Sequence, residues 1–347
     1  MGRIVPSTPG IRILQSIKGG SYTVTIPRWW VDKHGLKKGS KLFVAEDGVS
    51  LRIAARESIQ MKKTVEIDLD SLKDMKSARC CILTYYMQGA DEMIVKSRDV
   101  LSADRKKQLR EMRLALPGVE IIHDDTHRIV YRVFTEEMNE KLDDTIMMIH
   151  NMALTTHRDA VRSVVSDNAG LANDVVSREA ELLRIYRKLI RHLALCSTNP
   201  EIAFKSGVGD SRELVTYALV ARDLNRTVYH AIYIAKHYLR LAKPISAGKM
   251  LKMIEVLSET ASKMQQLAVE AFIDKNFQKI LDVTSMMQDV KQQEEKINFS
   301  VVDNVKNLEQ AITLLMIARE IRRIAGYSVA MADAAANRIL APGRAAV

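Results

Sequence analysis

The chain has 347 residues, 47% hydrophobic and 27% charged, with a formal net charge of +10, which describes an ordinary folded protein with room for two or three domains. No apolar run approaches the roughly 18 residues a membrane helix needs, and the start Met1-Gly2-Arg3-Ile4-Val5-Pro6 lacks a secretory apolar core, so cytoplasmic residence is expected. Three cysteines, adjacent Cys80 and Cys81 with a distant Cys196, make neither a metal spacing nor a disulfide framework, and they are expected to be reduced and buried.

Charge is concentrated at the front. Residues 1 to 60 hold ten Lys or Arg against four acids, a net +6. That is the electrostatic footprint of a phosphate-backbone binder, the alternative being a merely solvated basic surface. Thr23, Thr25 and Pro27 alternate with Val24 and Ile26 as on a half-buried strand, and Pro27 presets a short helix over Arg28 to Lys33 that Gly35 ends. Two further alternating runs, Leu42 to Ala45 and Val49 to Ile53, flank the turn Glu46-Asp47-Gly48 and predict a hairpin. Strand, helix and hairpin together read as a DNA-binding module. It is too short to bury enough apolar surface alone, so a second copy is expected to complete it and the chain to be a homodimer.

Residues 63 to 134 mix strand and helix. Thr64 to Asp68 alternates, Cys80 to Tyr86 reads as a buried strand, and Glu92 to Val95 as another. Asp104 to Leu116 predicts a basic amphipathic helix, and Val119 to Ile122 and Arg128 to Val133 two strands joined by the polar turn His123-Asp124-Asp125-Thr126-His127. From Thr135 onward strand signals vanish, and helix-period apolar residues predict six long helices at roughly 135–168, 170–196, 211–242, 246–274, 276–297 and 300–340. An internal repeat lies within them: Val220-Ala-Arg-Asp-Leu-Asn-Arg-Thr227 lines up with Ile317-Ala-Arg-Glu-Ile-Arg-Arg-Ile324 at an offset of 97 residues. Two three-helix units are the natural inference.

The remaining constellations are weak. His123, Asp124 and His127 have metal-ligating side chains but occupy one turn, whereas metal sites draw on several segments. The pairs His150/His157 and His230/His237 each share a helix face, as is common on ordinary helix surfaces. Among the 17 methionines, such residues as Met250, Met253 and Met264 most often plug core gaps, although an exposed Met face would suit an adaptable partner surface. No nucleophile elbow, phosphate loop or dinucleotide fingerprint occurs, so no enzymatic activity is expected.

Tyr22 to Ile53, with its basic strand, Ile26-Pro27, short helix and Gly35-Leu36-Lys37-Lys38-Gly39 run before a hairpin, resembles the swapped-hairpin domain of the AbrB, SpoVT and MazE group. Residues 135 to 340 resemble a PhoU domain pair, and the combination resembles an archaeal type of phosphate-uptake regulator. The resemblance implies a multidomain α+β chain. Its parts would be a swapped-hairpin β domain at 1–58, an α/β connector at 59–134, and an all-α pair of three-helix bundles at 135–347. It further implies a dimeric, DNA-binding transcriptional regulator of phosphate uptake. The alternative is a signalling adaptor that does not bind DNA and instead binds a phosphate ABC transporter ATPase or a kinase.

Carried over from the swapped-hairpin group, the residues that approach DNA are Arg12 on the first strand, Lys18, Gly19 and Ser21 in the loop, and Arg28 and Lys33 around the short helix. Gly20 joins Gly19 in letting backbone approach a phosphate. Trp29 and Trp30 would either stack on bases or fill a dimer core. Metal-binding PhoU members carry repeated acid-x-x-x-Asp motifs. The corresponding positions here read Asn225 to Tyr229 and Arg322 to Gly326, and Glu179 to Leu183 keeps only the first acid, so no multinuclear metal site and no cofactor are expected. Asp223 and Glu320, just upstream, are the residual acids.

Overall fold

The computed structural model describes residues 11–17, 19–55, 62–134 and 140–340. The chain divides into two compact units, Met1–Met61 and Lys62–Val347.

In the first unit β1 (Gln15–Ser16) pairs antiparallel with β2 (Tyr22–Thr23). The strand expected to run on to Pro27 ends at Thr23, because no second ladder reaches it among the described residues. Pro27 precedes α1 (Arg28–Lys33), as expected, and Leu36 N–H closes the helix by donating to Val31 O at 3.0 Å. β3 (Leu42–Asp47) and β4 (Ser50–Ala55) form the expected hairpin, with Asp47 facing Ser50, so the turn is Gly48-Val49 rather than 46–48. Ala55 is the one buried residue among those described here. Ile11, Ile13, Leu14, Tyr22, Val44, Leu51 and Ile53 are all exposed.

The second unit opens with a four-stranded sheet of order β5-β6-β8-β7: β5 (Thr64–Asp68), β6 (Glu92–Lys96), β7 (Val119–Asp124) and β8 (Arg128–Val133). β5 and β6 run parallel, joined by α2 (Met75–Met87), and the other pairings are antiparallel. The segment read as a buried strand, Cys80 to Tyr86, therefore lies in a helix. Asp74 caps it by accepting from Ser77 N–H at 2.8 Å, and Ala78, Ile82 and Tyr86 are its fully buried residues, spaced by four. That spacing turns Cys80 outward, so it is exposed, with Cys81 half-buried and Cys196 buried. α3 (Ala103–Met112) adds Leu109 and Met112 to the cluster formed by Ile67, Met93, Val95, Ile129 and Tyr131. His123 and Asp124 belong to β7, which shortens the turn to Asp125-Thr126-His127.

The helices are α4 (Leu142–Val165), α5 (Ala169–Ser177), α6 (Glu179–Thr198), α7 (Pro200–Lys205), α8 (Glu213–Tyr238), α9 (Gly248–Asp274), α10 (Phe277–Asn304) and α11 (Leu308–Ile339). The second expected helix is thus divided at Arg178. The fifth expected helix runs on to Asn304, and its successor starts after Asn307, whose side chain accepts from Gln310 N–H at 3.0 Å. One apolar cluster runs through both three-helix units. Across it, His157 of α4 lies between Ser258 Oγ and Ser262 Oγ of α9, at 3.2 and 3.4 Å, and burial pushes its imidazole down to about 4.

Helices and sheet meet where α6 sits over the α2–β6 turn. Gly89, with φ +90°, admits it: a Cβ there would lie 2.9 Å from Leu195 Cδ2. Beside it Arg191, its side chain 1% exposed, donates through Nη1 to Tyr86 O at 3.0 Å and Ala90 O at 2.6 Å, and through Nη2 to Asp91 Oδ1 at 3.1 Å. Its guanidinium also lies 5.2 Å from the Tyr86 ring centroid. Replacing Arg191 by Met takes the side-chain donor from Ala90 O and Asp91 Oδ1 and leaves Tyr86 O with Gly89 N–H alone. Urea denaturation of Arg191→Met should show a loss of about 2–4 kcal/mol. Arg128→Ala, which breaks an exposed pair with Asp125, should cost under about 1 kcal/mol. Equal effects would contradict the role given to Arg191.

Candidate functional site

Among the described residues, the candidate cations of the basic module lie ahead of β1 and on α1. Arg12 lies ahead of β1 rather than on the first strand. It is exposed, and its Nη1 donates to its neighbour's carbonyl, Ile11 O, at 3.1 Å. The β1–β2 loop holds Gly19 and Gly20, at φ +115° and +88°, followed by Ser21, whose carbonyl accepts Ile17 N–H at 2.8 Å. Lys18 lies outside the described residues. Arg28 opens α1, its side chain 94% exposed and 3.6 Å from Asp32 one turn on, and exposed Lys33 ends the helix. Trp29 and Trp30 are half-buried, and the Trp30 ring lies 4.9 Å from that of His34. A solvated guanidinium with one weak partner gives up little when it turns to a phosphate. These cations thus keep the chemistry for backbone contact.

In the helical half the internal repeat becomes geometry. α8 and α11 carry its two copies and pack against each other. His230 of α8 and Tyr327 of α11, equivalent at the offset of 97, stack with ring centroids 5.5 Å apart. The equivalent acids have different fates. Asp223 is buried, accepts from Arg222 Nε at 2.9 Å, and leaves Oδ2 without a hydrogen bond. Burial raises its carboxyl against the pull of Arg222. Glu320 accepts from His230 Nδ1–H, and its other oxygen lies 3.8 Å from His237 Nε2.

His230 and His237 are therefore buried, not surface residues as the spacing suggested. The i, i+7 pattern was visible in the sequence. Glu320, 90 residues away from His230, was not readable as their partner. At the positions expected to hold acids, Arg322 pairs with Glu294 Oε2 at 2.8 Å. His123 Nε2 lies 2.7 Å from Asp125 Oδ2 on the exposed hairpin. Among the described residues no group of three or more His, Cys, Asp or Glu could hold a metal ion, and no helix is long and apolar enough to cross a membrane.

Burial alone would raise the Glu320 carboxyl, but the His230 hydrogen bond and the nearby His237 outweigh it and hold the group at about 2 against an ordinary 4.5. The stability this lends is complete above about 4.5 and is lost as pH falls through about 2. Glu320→Gln should lower the unfolding free energy at pH 7 by about 1–3 kcal/mol. The gap from the parent should narrow as the pH is lowered from 4.5 to 2. A gap of constant size over that range would contradict the assignment.

Comparison with known proteins gives two family matches. Residues 146–237 and 254–335 match the PhoU domain, and residues 15–60 match the MazE antitoxin family, described as antidote-toxin recognition. No curated protein matches the chain. Among solved structures, the phosphate transport system regulatory protein PhoU from Streptococcus pneumoniae aligns at 15% identity and a TM-score of 0.49, over 59% of this chain and 96% of that one. PhoU from Pseudomonas aeruginosa aligns at 13% and 0.42, over 56% and 94%.

Proposed function

The chain belongs to the PhoU domain family, and from that premise, with a MazE-type module ahead of the helices, we propose that it is a dimeric DNA-binding transcriptional regulator of phosphate uptake. The observation that carries the reading is the joining of a basic module, net +6 over residues 1 to 60, to a PhoU pair in one chain. Arg12, Lys18, Arg28 and Lys33 contact the phosphate backbone, and Gly19 and Ser21 bring the loop's backbone close to it. The helical half senses or relays the signal tied to phosphate supply, and the whole acts in the cytoplasm without catalysis.

Dimerisation is supported by the first unit's exposed apolar residues. Ile13, Leu14, Val44 and Leu51 all stand in solvent. A module that leaves them there gains little hydrophobic stability, at roughly 25 cal/mol per Å² of apolar area buried. A second copy covers them and doubles the cationic surface along the duplex.

Gel shifts on genomic fragments test the contacts. Replacing Arg12, Lys18 and Arg28 together by Ala should weaken binding by at least about tenfold at 0.1 M salt and flatten the salt dependence by about three phosphate contacts. Unchanged binding would remove these residues as DNA contacts.

A further inference from the structure

The helical half carries a second surface with a defined chemistry, on the hairpin formed by α9 and α10. The first turns of α9 and the later turns of α10 line an open groove of about 280 Å³. Met253, Val256 and Ile297 supply its apolar wall, and Lys249, Lys252 and Lys296 surround it. Lys252 is paired with Glu255 at 2.7 Å. Lys249 and Lys296 are exposed and have no hydrogen bond or ion pair among the described residues.

Gln293 completes the wall between the two helices. Thr260 Oγ1 donates its proton to Val256 O at 3.0 Å, so toward Gln293 it can only accept, and Gln293 Nε2 donates to it at 3.3 Å. That fixes which way the amide faces. Gln293 Oε1 is left buried with no hydrogen-bond partner among the described residues. The atom lies beneath the groove surface, which is almost wholly apolar.

Two requirements follow for whatever fills the groove: an apolar group, and negative charge near two free ammonium groups. Orthophosphate lacks the apolar group, and a full-length lipid acyl chain is too large for about 280 Å³. A peptide meets both when an apolar side chain is flanked by Asp or Glu. The volume has room for one large inserted side chain. Met253 lends the wall an adaptable shape.

We infer that the α9–α10 groove is a docking site for an acidic segment of a partner protein, which inserts one large apolar side chain between Met253, Val256 and Ile297 and places its carboxylates against Lys249 and Lys296. The inference stands apart from DNA binding, since none of these residues belongs to the basic module.

The probe is a fluorescein-labelled peptide, Glu-Asp-Phe-Glu-Asp-Leu-Glu, titrated with the full chain in the absence of DNA and read by anisotropy. Binding at a Kd below about 100 μM is expected, lost in a peptide with Ala for Phe and Leu. The pair Lys249→Glu and Lys296→Glu should weaken it by at least about tenfold. Met253→Trp, which fills the groove, should do the same, with an unchanged melting curve showing that the fold is intact. Failure of the first peptide to bind at about 1 mM, equal binding of the Ala peptide, or full affinity in both variants overturns the inference. So does capture of phosphatidylglycerol vesicles without capture of the peptide. Gel shifts on the same variants keep this separate from the DNA reading: loss of peptide binding with DNA binding retained is the expected pattern.

Discussion

A guanidinium taken out of water has to find partners for its N–H groups, and at one end of the helical half Arg338 of one helix finds them on three others. From α11 it donates through Nε to Glu213 of α8 at 3.2 Å, through Nη1 to Asp143 of α4 at 3.1 Å and Phe272 O of α9 at 2.9 Å, and through Nη2 to Tyr217 Oη at 2.8 Å. Its face lies 4.7 Å from the Tyr217 ring centroid and 4.5 Å from that of Phe272. Because α4 and α8 belong to the first three-helix unit and α9 and α11 to the second, this one side chain fixes the two units to each other. The desolvation cost of a buried charge makes the arrangement all or nothing, which favours specificity of packing over raw stability.

The same logic, applied to the internal repeat, explains how two equivalent positions acquire different chemistry. Asp223 and Glu320 begin from the same place on α8 and α11. Asp223 is answered by the adjacent Arg222, and one oxygen stays unpaired. The longer Glu320 reaches His230 on the opposite helix and lies near His237. Arg322, on the same helix, reaches across to Glu294 on α10. Asp223, Glu320 and Glu294 are therefore committed to arginine and histidine partners, whereas Lys249 and Lys296 stand exposed beside the α9–α10 groove.

Much of this was readable from periodicity. The alternation at Thr64 to Asp68 and Glu92 to Val95 gave true strands, and helix-period apolar residues gave the long helices, because in both cases one buried face imposes its spacing on the sequence. The run Cys80 to Tyr86 misled because its composition matches a buried strand. The contrary signals were Asp74 at the cap and the spacing of Ala78, Ile82 and Tyr86. Of the candidate contacts, Arg28 and Lys33 fell on the short helix as expected, whereas Arg12 fell outside any strand. The Glu320 cluster and the α9–α10 groove had no sequence signature. Each joins helices whose contributing residues lie some 35 to 90 positions apart, and only the packing of apolar faces decides which polar groups then meet.

The two halves of the chain thus divide the physical tasks. In the function proposed above, a small basic module, thin in buried surface, offers charge to a polyanion, and the large helical body, with its continuous core, supplies stability and partner surfaces. The measurement that bears most directly on this division is binding of the full chain to a library of genomic DNA fragments across a salt series. The account predicts that log affinity falls linearly with log salt while a few fragments remain bound at about 0.2 M. Weak binding that is flat in salt and blind to sequence would contradict it, and would leave the basic module as a device for pairing two chains.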